Sequence, residues 1–209
     1  MKAEVAFAAT WLGLLMWAGP AVAEVRPFSL TVGHQRSVHL DDDKVDEILA
    51  EASKVLKKCD VVLKRKGHVD KFAASRVPSP IDSAADRDAV HHEDFDIKVV
   101  ELPIGFCRVG QPHEGCAWDP LPGKDVPQYK SMIVMHLPDV KQAGRIWAHE
   151  FGHKRGLTHR SSNRKALMAC RVPVELAEPE INDHECKCLR EGPDACGDEI
   201  ETPQSCSIH

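Results

Sequence analysis

"AHEFGHKRGLTHR" spans Ala148 to Arg160 and places histidines at 149, 153 and 159, with Glu150 beside the first. On a helix of about 3.6 residues per turn, His149 and His153 lie one turn apart on one face, so both imidazoles reach the same point in space. Gly156 falls just past the helix-periodic stretch, where a left-handed residue ends a helix, and Lys154 and Arg155 fill the last turn. The chain can then turn back and bring His159 to the other two. Shuffling this composition would yield HExxHxxGxxH in roughly 2 chains per ten thousand, against about 5 per hundred for a bare HExxH, so the longer pattern carries the weight.

Upstream of this stretch, SMIVMHL (Ser131 to Leu137) is a continuous apolar strand suited to burial on both faces. Pro138 ends it, and Asp139 with Gln142 forms a D-x-x-Q capping arrangement for the histidine helix. Farther back, LDDDKVDEILAEASKVLKKC carries Val45, Ile48, Leu49, Ala52, Val55, Leu56 and Cys59 at helical spacing. Asp41 to Asp43 suit the positive end of that helix dipole, and Lys57 and Lys58 the negative end. RPFSLTV (Arg26 to Val32) alternates as a strand. Two more strands are expected around Asp60 to Lys64 and Asp96 to Leu102, separated by a polar loop from Ser75 to Asp94. A further extended piece, GCAWDPL (Gly115 to Leu121), belongs at a sheet edge near a cleft, because prolines at 112, 120, 122 and 127 cannot donate to a central ladder.

The two ends bound the compartment. The opening MKAEVAFAATWLGLLMWAGPAVA has Lys2, an apolar run from Val5 to Ala18, Gly19-Pro20, and small residues at Ala21 and Ala23, which reads as a signal peptide (1–23) cleaved after Ala23. The run is shorter than the roughly 20 residues of a bilayer span, so no stable membrane anchor is expected, and the destination is extracellular or periplasmic. Residues 24–209 suit one domain. A net charge of -5 gives no reason to expect nucleic acid. All 8 cysteines follow Ala23, and in an exported chain they read as disulfides whose pairing the sequence leaves open. Cys186, Cys188, Cys196 and Cys206 crowd a tail that is stapled rather than packed. Thiolate metal binding by Cys186 and Cys188 is the competing reading, which an oxidising compartment disfavours.

Three neutral imidazoles fill three corners of a tetrahedron around zinc and leave the fourth for water, whose pKa then falls to near ~7. Glu150 can lean toward that water, take its proton and later give it to a leaving amine. His68 with Asp70, and His91, His92 and Glu93, are weaker candidates for a second metal site. Asp41 to Asp43 fit helix capping better than calcium binding, so calcium is left unassigned. The sequence has neither a Gly-rich phosphate loop nor a G-x-S-x-G elbow.

HExxHxxGxxH followed by a methionine resembles the metzincin clan of zinc endopeptidases, matched here at His149, Glu150, His153, Gly156 and His159. Metzincins carry a tight turn with a methionine beneath the zinc, and LMAC supplies Met168. The resemblance implies an α/β (α+β) fold: a twisted mixed sheet of about five strands with an antiparallel edge strand, a long zinc helix and a small cysteine-rich C-terminal subdomain. It divides a catalytic domain into an upper part (24–159) and a lower part (160–209), which INDHECKCL (Ile181 to Leu189) would close as a helix. It also implies that the edge strand, through Cys116, Ala117 and Trp118 toward Pro120, binds an extended substrate, and that Arg171, Val172, Pro173 and Val174 wall the pocket beyond the scissile bond.

Departures matter as much. Arg160 follows the third histidine, where better-known subfamilies carry other residues, and the single tyrosine, Tyr129, precedes Met168, so the extra tyrosine ligand of astacins and serralysins is missing. The subfamily stays open, with matrixin-like and reprolysin-like geometry preferred. Strand-like sequence begins just after Ala23 and no cysteine precedes Cys59, so neither a large prodomain nor a cysteine switch is expected. The leading expectation is a secreted, monomeric endopeptidase with one zinc ion, acting on protein or peptide. The rivals are a catalytically silent, disulfide-rich zinc-binding protein, against which Glu150 speaks, and a zinc amide hydrolase with a non-peptide substrate.

Overall fold

The computed structural model describes residues 24–101, 115–117, 131–160, 163–172 and 178–196. The stretch expected as one N-terminal strand is two, β1 (Arg26–Leu30) and β2 (Val32–His34). Thr31 makes the break. Its N–H and hydroxyl both donate to Asp96 Oδ2 at 3.0 Å, and its hydroxyl accepts from the Asp96 N–H. The strand thereby changes partner: β1 pairs in parallel with β3 (Val61–Arg65), while β2 enters a second sheet.

Between them runs α1 (Asp42–Leu56), opened by Asp41, whose carboxylate accepts from the Lys44 N–H at 2.8 Å. Val45, Ile48, Leu49, Ala52 and Leu56 form its buried face, and a 3-10 turn (Lys57–Cys59) extends it. The short β4 (Asp70–Lys71) was not anticipated, since two residues carry no periodicity. The polar loop expected over Ser75 to Asp94 contains a helix, α2 (Ala84–His91), which corrects that reading. Its signal was present in the sequence: Ser83 and Asp86 form a reciprocal capping box.

β5 (Ile97–Val100), the edge piece β6 (Gly115–Ala117) and β7 (Met132–Met135) complete a five-stranded sheet ordered β4-β2-β5-β7-β6. Every neighbouring pair is parallel except β6 with β7, which is antiparallel. Alternate residues divide the sheet between two cores. Ile97, Val99, Met132 and Val134 join α1 and α3 (Val140–Lys154), while Val100 and Ile133 pack with Phe72, Val77 and Val90 on the other face. Lys98 is buried on that second face, where Nζ donates to His91 O at 2.7 Å and ties the end of α2 to the sheet.

Asp139 caps α3, accepting from the Gln142 N–H at 2.7 Å. The helix crosses α1 at Gly144, where a Cβ would fall 3.0 Å from Ala52 N. The C-terminal part holds α4 (Asp183–Glu191), with an Asn182–Glu185 capping box, and the short α5 (Pro193–Cys196). Disulfides join Cys59 to Cys186 and Cys188 to Cys196. Thiolate ligation by Cys186 and Cys188 is thereby overturned, because both sulfurs are consumed in covalent bonds. Cys170 is disulfide-bonded as well. The expected signal peptide, Cys107 and Cys206 lie outside the described residues; among those described, no helix is long and apolar enough to cross a membrane.

Candidate metal centre

α3 delivers His149 and His153 directly, and a Schellman turn redirects the chain toward His159. The Gly156 N–H donates to His153 O at 2.9 Å and the Leu157 N–H to Gly152 O at 3.0 Å. Gly156 takes φ +90°, the left-handed region that a side chain disfavours, and a Cβ there would fall 3.0 Å from Pro193 Cα and Cβ.

The three imidazoles converge. His153 Nε2 lies 3.1 Å from His149 Nε2 and 3.1 Å from His159 Nε2. Among the described residues this is the only group of three or more potential metal-binding side chains, with ligand atoms all within 4.8 Å of one another. The outer nitrogens decide what the inner ones can do. His149 Nδ1 is 2.7 Å from Leu167 O, and His153 Nδ1 is 2.7 Å from Leu157 O. A carbonyl oxygen only accepts, so each Nδ1 carries the proton and each Nε2 presents a lone pair. Two facing lone pairs at 3.1 Å repel unless a cation stands between them.

A proton suits that place poorly. Burial pushes His149 down to about 4, and burial, reinforced by His149 and His159, holds His153 well below the ordinary histidine value. A tetrahedral zinc with Zn–N bonds of roughly 2.0–2.1 Å sets its nitrogens about 3.3 Å apart, close to the observed spacing. The donor set, its tautomers and its burial fit such an ion.

Glu150 lies beside His149 and is 3% exposed. Its carboxylate sits against the backbone of β6: a Cβ added at Gly115 would fall 3.0 Å from both Cγ and Oε1. Met168 is fully buried beneath α3, with Sδ in the space that a side chain at Gly152 would need. Lys154, next to His153, pairs with Asp96 and pins the end of the helix to the sheet.

The other expected residues belong to two segments, β6 and the stretch after Met168. Cys116 and Ala117 belong to β6, Arg171 is exposed, and Val172 is half-buried against the main core. Trp118, Pro173 and Val174 lie outside the described residues. The suggested second metal sites do not assemble. His68 Nδ1 bonds to Asp42 Oδ2 at 2.8 Å instead of meeting Asp70, His92 Nδ1 bonds to Asp88 O, and Glu93 pairs with Arg76.

Several contributors escaped the sequence reading. The carbonyls of Leu157 and Leu167 carry no side-chain signature, and Gly152 occupies a position that the HExxHxxGxxH pattern leaves unspecified. Arg160, noted only as a departure, donates its N–H to Met168 O at 2.7 Å and reaches Glu185 through Nη1.

No family model and no curated protein matches the chain. Among solved structures it is similar to an archaemetzincin from Methanopyrus kandleri, with 16% sequence identity, a TM-score of 0.45, and coverage of 76% of this chain and 92% of that one.

Proposed function

We propose that this chain is an exported zinc-dependent endopeptidase in which His149, His153 and His159 hold one zinc ion and Glu150 is the general base. The observation that carries the reading is the convergence of three Nε2 atoms, 3.1 Å apart in successive pairs, with two of the Nδ1 protons committed to backbone carbonyls. Bound there, zinc supplies Lewis-acid activation of water and of the scissile carbonyl.

The chain's own groups do the rest. Glu150 takes a proton from the attacking water and delivers it to the departing amine nitrogen. β6 ends the sheet, so its outer backbone groups can pair with an extended peptide and fix its register beside that carboxylate. Met168 closes the floor under the two helix histidines. In this reading residues 24–159 form the upper part of the catalytic domain and 160–209 the lower. The disulfides Cys59–Cys186 and Cys188–Cys196 support export, since such bonds persist in oxidising compartments.

The test is cleavage of an unstructured protein such as casein by the purified chain, beside a Glu150→Ala variant shown to retain zinc. The expected result is cutting by the wild type and a rate lower by roughly 10²–10⁴ in the variant. A zinc-loaded wild type that cuts neither casein nor a peptide library overturns the endopeptidase reading.

A further inference from the structure

His149 and His153 take their places from one turn of α3. His159 lies beyond the Schellman turn, so its place depends on what grips the segment that follows. Arg160, the next residue, is bonded at both ends: its N–H donates to Met168 O at 2.7 Å, and Nη1 donates to Glu185 Oε2 at 3.2 Å and Oε1 at 3.4 Å. Glu185 is 3% exposed, and its Oε2 also accepts from the Asn182 N–H at 2.7 Å, so the start of α4 holds the carboxylate that the arginine meets.

α4 is anchored in turn. Cys186, adjacent to Glu185, is bonded to Cys59 at the end of the α1 extension, and Lys58 Nζ donates to Ile181 O at 2.8 Å. α1 crosses α3 in contact at Gly144. These contacts close a ring: the helix with two histidines, α1, the disulfide, Glu185, Arg160 and the third histidine. A guanidinium next to a ligand would also repel a bound dication were it not countered, and Glu185 is the counter-charge.

We propose that Arg160 and Glu185 are positioning residues that hold His159 at the metal, with the Cys59–Cys186 disulfide bracing them against the helix that carries the other two histidines. The proposal rests on the zinc-site reading above. It assigns Arg160 a role that a surface salt bridge would not have, because both its partners are buried and both lead back to the centre.

The experiment measures zinc affinity by chelator competition, and the absorption spectrum of the cobalt-substituted full chain, for wild type, Arg160→Ala, Arg160→Lys, Glu185→Gln and the Arg160→Ala/Glu185→Gln double variant. Arg160→Ala and Glu185→Gln are each expected to weaken zinc about 10–100-fold and to reduce the four-coordinate cobalt bands. The double variant should be no worse than the weaker single, and Arg160→Lys should recover part of the loss. Arg160→Lys and Glu185→Gln keep the question answerable should Arg160→Ala not fold. The inference is overturned if the folded variants bind zinc within about twofold of wild type with unchanged cobalt spectra, or if the two single losses simply add. Failure of the wild type to take up either metal overturns the zinc reading itself, and this inference with it.

Discussion

The centre has two halves built by different physics. His149 and His153 share a helix, and their spacing is set as soon as α3 forms, with Asp139 at its start and the Schellman turn at its end. His159 owes its seat to contacts far apart in sequence, through Met168, Glu185 and a disulfide spanning 127 positions. Local order makes the first half robust, while the second forms only when the C-terminal part docks. A two-histidine chelate comes with the helix, and the three-histidine centre comes with the fold.

Removing one histidine from each half is expected to have the largest effect. His153→Ala deletes the central nitrogen, which neighbours both others at 3.1 Å, and is expected to abolish zinc retention on dialysis. His159→Ala leaves the helix pair intact and should keep weak, competable binding. Metal titration of both variants decides the matter; equal losses would mean that the helix pair has no independent standing.

A smaller effect is expected where the halves touch. Gly152→Ala drives a Cβ into Met168 Sδ, and overpacking of this kind costs about 1–3 kcal/mol. Urea unfolding of the metal-free variant reads that cost, and an unchanged midpoint would show that Met168 moves aside freely.

The smallest effect lies on the sheet's other face, opposite the core that α3 joins, and serves as the control. Burial holds His91 down to about 4 from 6.5, with Lys98 adding to the effect and Asp88 opposing it. The folded chain therefore binds fewer protons than the unfolded one between those values. This contribution to stability is complete above 6.5 and is lost as the pH falls from 6.5 toward about 4. His91→Asn should show a shallower loss than wild type when urea midpoints are compared at about pH 7 and about pH 5. Identical slopes would mean that His91 is accessible to protons in the native state.

How much of this was legible follows from what periodicity can carry. α1, β7 and α3 were readable because apolar spacing and the capping residues Asp41 and Asp139 are local features, repeated along the element. α2 was readable in principle through Ser83 and Asp86, but its polar surroundings hid it. The break at Thr31 was not, because it depends on Asp96, a residue distant in sequence whose carboxylate replaces the ladder at one position.

At the centre the division is the same. Residue order alone sets the identities of the three imidazoles and the carboxylate, the helical phase of the first two histidines, and the left-handed turn at Gly156. Long-range packing sets which nitrogen of His149 and His153 keeps its proton, how Gly152 makes room for Met168, and what anchors the third histidine. Those outcomes rest on backbone carbonyls, on an absent side chain and on pairings between remote segments. Side-chain order along a chain encodes the first set through a fixed helical repeat; the second has no repeat to encode it, and arises when the chain closes on itself.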